Sequence, residues 1–296
     1  MKEDRSSGGS PMELAEIDSI LRKHSQGNDP AVLEGWLVKA TLSRLRDWVP
    51  RPAVGERRLL DIGCYQPTIG YYAALGWREI TGIAKEEGEC ISATSYETAE
   101  GATAHTLILD VEKEEIPIPD ASIDVVLMME ILEHFGLDPM HALAEANRVL
   151  RLGGLIIIST PNASSRDALW RIARGYNPHL GLEFSGYSTN RHNRLYDCNE
   201  LHAVATAAGF DVELCTSRSY RVPQRGTASR SRLLIWEMVG TLTLRRWRQV
   251  ERGDYLFLRG RKTGSLIDRY PRVLYWRESE WPQWFNTIRE RAGKSY

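Results

Sequence analysis

The sequence predicts an α/β protein: a doubly wound, mostly parallel sheet of seven strands, with N-terminal helices and a helical insertion before the last strand. Three observations carry this expectation. Short apolar runs without alternation recur at 59–62, 79–83, 106–109, 124–129 and 155–159, the pattern of strands covered on both faces. Helix-compatible segments separate them, and strand–helix alternation of this kind builds a parallel sheet. The first run ends in Asp61-Ile62-Gly63, where a glycine lets the backbone approach a ligand at a strand-to-helix turn.

The elements follow in order. Residues 1–10 are polar and rich in Ser and Gly, with the composition of a disordered terminus. Residues 11–50 hold two helices. The second has Asp29 as N-cap and Pro30 in the first helical position, with apolar residues spaced helically from Val32 to Leu45. Residues 51–262 form the sheet domain. Its clearest helix is Pro139–Leu150, stopped by Gly153-Gly154. The insertion 162–196 is rich in Gly, Asn, Arg and aromatic residues, and it follows the carboxyl end of a strand, where such loops shape a pocket. A helix at 199–208 and strands at 210–215 and 255–258 bracket a second insertion, 217–250. The tail, 263–296, carries Trp276, Trp281 and Trp284.

A chain of 296 residues with 42% hydrophobic content can build a large core, and a net charge of −1 gives no global attraction to nucleic acid. Cys64, Cys90, Cys198 and Cys215 form no Cys-x-x-Cys pair, which argues against a zinc ribbon or a disulfide framework and fits a reducing compartment. With no apolar signal core at the start and no run of the ~20 apolar residues a membrane span requires, the expected location is the cytoplasm.

Four segments in register resemble the class I S-adenosylmethionine-dependent methyltransferases of the type 11/12 group. They are Leu59–Gly63; Asp110 with Ile116–Asp124; Met128–Phe135; and Asn147–Asn162, which includes Gly153-Gly154 and Thr160-Pro161-Asn162. The resemblance implies a Rossmann-like fold and an S-adenosyl-L-methionine cofactor. It places Asp61 and Gly63 at the methionine end, Asp110 at the adenine and residues near Met129 and Glu130 on the floor, with Cys64 and Val111 also among the cofactor-binding residues. The chain departs from the family at Tyr65 and Pro67, where small residues are usual. It also departs at Ala84, where an acid ordinarily grips the ribose; Glu86 and Glu87 follow close behind.

The segment Glu130-x-x-Glu133-His134 sits just past the fourth predicted strand. On a helical turn these three would share one face, and two carboxylates with an imidazole can hold a divalent cation. A similar segment binds metal in small-RNA 2′-O-methyltransferases and in ubiquinone-pathway O-methyltransferases. In the RNA enzymes a later His completes the site, and its counterpart here is His192. Three readings stay open: a Mg²⁺ or Mn²⁺ site of Glu130, Glu133, His134 and His192; His134 as a metal-free base; or a purely structural segment.

Residues 218–248 contain eight Arg and one acid, Glu237, around an apolar core. This stretch reads as an interfacial segment for peripheral contact with anionic lipid or a lipid-linked acceptor, as a clamp for phosphates of a nucleotide-sugar or glycan, or as a packing helix. The sequence thus predicts an O-methyltransferase, with His134, Glu133 and Glu130 at the reaction centre and a small molecule or glycan as acceptor. Its rival is a non-catalytic, partner-binding domain of the same fold.

Overall fold

The computed structural model describes residues 11–25, 39–85, 93–177, 192–220 and 251–275. The predicted disordered N-terminus, the Asp29–Pro30 helix start, Glu86, Glu87, Cys90, most of the 217–250 insertion and the tail tryptophans lie outside them. Among the described residues the strands are β1 (Arg58–Ile62), β2 (Glu79–Ala84), β3 (Thr94–Glu97), β4 (Thr103–Ile108), β5 (Ile123–Met129), β6 (Leu150–Pro161), β7 (Phe210–Arg218) and β8 (Tyr255–Lys262). The helices are α1 (Leu14–Lys23), α2 (Lys39–Trp48), α3 (Pro67–Leu75), α4 (Pro139–Val149), α5 (Arg166–Ala173) and α6 (Cys198–Ala207).

All eight strands join one sheet in the order β3-β4-β2-β1-β5-β6-β8-β7. β4, β2, β1, β5 and β6 are mutually parallel, while β8 runs antiparallel between β6 and β7. The sequence led us to expect seven strands. The eighth, β3, is an edge strand antiparallel to β4. Its four residues, Thr-Ser-Tyr-Glu, are exposed or half-buried and carry no apolar run. The predicted insertion 162–196 also contains a helix, α5.

Strand alternation divides the core in two. Leu60, Ile62, Val126, Met128, Ile156 and Ile158 pack with α4 and α6 on one face. Leu59, Val125, Leu127 and Ile157 pack with α1, α2 and α3 on the other. This period of two puts Asp61 on the α3 face, beside Tyr72. Gly70, in α3, serves packing rather than a ligand: a Cβ there would lie 2.2 Å from the His24 ring at the end of α1. The described part of the tail is no loose appendage. Ile267 N–H donates to the Ala207 carbonyl at 2.8 Å, and Arg269 and Tyr275 both bond Asp138, the N-cap of α4.

Candidate active site

The carboxyl edge of the parallel strands forms a cleft with two lobes. The larger, of about 540 Å³, is walled by Ile62, Ile83, Ala84, Lys85, Asp110, Val111, Phe135 and Leu137. The smaller, of about 340 Å³, is walled by Thr41, Arg44, Asp61, Tyr65, Thr68, Tyr72, Met129 and Glu130. Gly63, Cys64, Ile131 and His134 line both, so the lobes meet at this group.

The β1–α3 turn is tight. Gly63 has φ +88°, and a Cβ there would press on the Ile131 side chain at 3.1 Å. The Gly63 and Cys64 amides both donate to the Ile83 carbonyl at 2.9 Å, so the turn is tied to β2. Pro67 opens α3 in a position that tolerates proline. Asp61 lies beneath the turn, 4% exposed. Its Oδ2 accepts from the Tyr72 hydroxyl at 2.8 Å and from Thr68 at 3.5 Å. Burial pushes its pKa up to about 6, against the opposing pull of Tyr72, Cys64 and Thr68. Such a carboxylate, ringed by neutral hydroxyls, is set to receive a cation. In the other lobe Asp110 bridges Lys85 at 3.3 Å and Lys113 at 3.0 Å. These bridges and the Glu112 amide outweigh burial and hold its carboxyl below its usual range.

Sequence reasoning missed Arg44 and Glu112. Arg44 projects from α2 into the smaller lobe. Its guanidinium lies 2.8 Å from Glu130 Oε2, donates to Thr41 and sits 4.6 Å from the Tyr255 ring centroid. α2 is held there by Trp48, which stacks on Phe257 at 4.2 Å and donates to the Tyr220 hydroxyl. Glu112 accepts from the Leu137 and Asp138 amides at 2.7 and 2.9 Å, fixing the loop that walls the larger lobe. Both residues look in sequence like ordinary surface charges.

The Glu-x-x-Glu-His segment departs from expectation. Residues 132–134 form a single 3₁₀ turn, and Glu130 lies before it at φ +58°, a left-handed conformation strained for glutamate. Its two oxygens face Arg44 and the Ser159 hydroxyl, which donates at 2.8 Å. Glu130 therefore does not share a helical face with Glu133 and His134. The expected four-residue cation set contracts, among the described residues, to Glu133, His134 and His192, whose candidate ligand atoms lie within 4.8 Å of one another. Glu133 is 1% exposed and accepts from Thr160 at 3.0 Å. Burial and the nearby Glu130 charge push its pKa well up. The insertion brings His192 here because Asn193 clamps the turn. Its amide donates to the Glu133 carbonyl and its side chain to the His134 carbonyl, both at 2.7 Å. The His134 and His192 rings meet edge to face at 4.9 Å.

Residues 60–158 match the methyltransferase domain family. A probable S-adenosylmethionine-dependent methyltransferase of Mycobacterium tuberculosis is 31% identical over 172 residues, covering 55% of this chain and 53% of that protein. Residues 60–158 form a methyltransferase domain, similar to those of S-adenosylmethionine-dependent enzymes. The ubiquinone biosynthesis O-methyltransferase of Rhizobium leguminosarum is 28% identical over 162 residues, covering 55% of this chain and 62% of that protein. The match thus spans about half to three-fifths of these two relatives' lengths. In fold, the methyltransferase domain resembles an S-adenosylmethionine-dependent methyltransferase structure from Archaeoglobus fulgidus, with TM-score 0.50 at 20% identity, over 79% of this chain and all of that one. Among the described residues no helix is long and apolar enough to cross a membrane.

Proposed function

We propose that this chain transfers a methyl group from S-adenosyl-L-methionine to an oxygen of a small molecule or glycan. One observation carries the cofactor reading: the smaller lobe presents a buried carboxylate, Asp61, and a guanidinium, Arg44, in one cavity. Asp61 complements the ammonium of an amino acid, and Arg44, ion-paired with Glu130, would exchange that partner for the carboxylate. The larger lobe then takes the adenosine, with Asp110 and Val111 at its wall. The cofactor supplies an electrophilic methyl on a sulfonium. The protein's part is to hold that end at the lobe junction and keep water from it.

His134 lies at the junction. That position supports assigning it the acceptor hydroxyl's proton as the oxygen attacks. The Glu133–His134–His192 cluster has the donor set of a borderline divalent cation such as Mn²⁺, more than of Mg²⁺, which prefers all-oxygen sites. A cation there would bind and acidify the hydroxyl. Similarity to O-methyltransferases supports oxygen as the acceptor atom.

Calorimetry with S-adenosylmethionine tests the first step; absence of binding at millimolar ligand favours the partner-binding alternative. Chelation tests the second. A metal mechanism predicts collapse of activity in chelator and recovery with Mn²⁺. If chelator has no effect, His134→Ala is expected to lower the rate by about 10²–10⁴ with cofactor affinity intact.

A further inference from the structure

The rim beside the acceptor mouth carries a second chemistry that the methyl-transfer site does not use. α5 begins six residues beyond Thr160, the partner of Glu133, just past the carboxyl end of β6 where the cleft opens. Its first residue is tied to the stem of the second insertion: the Arg166 amide donates to the Arg252 carbonyl at 3.2 Å. Ser165 caps the helix, and the chain continues through Tyr176.

The outward face of this element is basic and amphipathic. Ile172 is 53% exposed and Tyr176 60% exposed, an aliphatic and an aromatic side chain that the domain leaves in water. The Arg174 guanidinium lies between two rings, 5.8 Å from the Trp170 centroid and 5.5 Å from Tyr176. Arg166 and Arg174 are exposed, while Arg171 is balanced by Asp167 at 3.0 Å.

We infer that α5 and Tyr176 dock this rim on the surface of an anionic lipid bilayer, turning the cleft mouth toward a lipid-borne acceptor. Charge complementarity identifies the occupant. Arginines meet lipid phosphates while Ile172, Trp170 and Tyr176 enter the headgroup layer, where aromatic rings and short aliphatic groups are stable. An RNA surface would match the arginines but leave Ile172 in water. The inference rests on the methyltransferase reading only for what the docking delivers.

Flotation of the full chain with vesicles is the test, using phosphatidylcholine alone and phosphatidylcholine with phosphatidylglycerol. The expected result is binding only to the anionic vesicles, weakening as salt rises. Arg174→Ser should reduce partition by about fivefold, since one surface arginine is worth about that factor. Ile172→Asp should reduce it further, and both variants should keep the parent melting temperature and the parent cofactor affinity. Absence of binding, equal binding to neutral vesicles, or binding unchanged in both variants would overturn the inference. So would release of the chain from vesicles by an unstructured RNA oligonucleotide of equal phosphate content. Vesicle binding without any cofactor binding would instead sink the methyltransferase reading and leave the docking in place.

Discussion

Asp61 and Asp138 are both carboxylates at strand-to-helix junctions of this domain, and the fold treats them in opposite ways. Asp138 caps α4 and accepts hydrogen bonds from Arg269 and Tyr275. Burial alone would raise its pKa, but these partners outweigh it and hold Asp138 at about 2. Asp61 is more deeply buried, and its hydrogen-bond donors are hydroxyls; it rises to about 6. The fold supplies one carboxylate with its own cation and gives the other only neutral hydrogen-bond donors, which the proposed function reads as a place kept for a ligand's cation. A binding site can therefore be distinguished from a structural ion pair by asking which charge the native chain has already neutralised.

The largest expected effect is on Asp61. Asp61→Asn removes the charge that would face the cofactor ammonium, and the affinity measured by calorimetry should fall by about tenfold to a hundredfold or more. The same change should stabilise the cofactor-free protein near neutral pH, by up to roughly 3 kcal/mol if the whole shift is recovered. The sign follows from a folded pKa raised above the unfolded one. Asp61's contribution to stability is full below about pH 4 and is lost as pH rises through about 6. Melting temperature in the parent should thus rise as pH is lowered from 7 to 5, and the rise should be smaller in Asp61→Asn. Glu133, also raised, leaves part of it behind. A variant that loses stability but keeps the cofactor would erase the contrast with Asp138.

Asp138 should behave in reverse. Asp138→Asn weakens the α4 cap and the tie to Arg269, with an expected cost of about 1–2 kcal/mol in chemical denaturation. Cofactor affinity should not change. Its depressed pKa gives stability that is present above about pH 4 and disappears as pH falls through about 2. Acid titration of the melting temperature separates the two residues, since they act over different pH ranges with opposite slopes.

The sequence announced most of this sheet because its central strands are covered on both faces and must be apolar throughout. It missed β3 because an edge strand of Thr, Ser, Tyr and Glu has no such obligation. At the site, Asp61, Gly63 and His134 could be read from their place after apolar runs. Arg44 could not. It lies on the helix before β1, and an arginine on such a helix reads as solvated until α2 is seen docked through Trp48 on Phe257. Glu130 differs for another reason: helical spacing does not hold across a residue that φ +58° takes out of any helix, turning its carboxylate toward Arg44 and Ser159. Asn193 was invisible because its role is to bond backbone carbonyls, which no residue pattern records.

The smallest expected effect tests the other lobe. Ala84 ends β2 at the wall of the larger cavity, where the resemblance calls for an acid to hold the ribose. Ala84→Asp should tighten the cofactor by no more than about tenfold. A charge-assisted hydrogen bond is worth about 1.5–3 kcal/mol, but two features of this lobe reduce the gain. The new carboxylate would share the cavity with Asp110, and like charges resist burial together. Lys85, already bridged to Asp110, would be drawn toward its new neighbour and loosen that wall. Unchanged affinity would mean that the hydroxyls already have a partner, and a double substitution with Lys85→Ala would then ask whether Lys85 is that partner. Weaker binding would put the ribose elsewhere and shift most of the recognition to Asp61 and Arg44 in the smaller lobe.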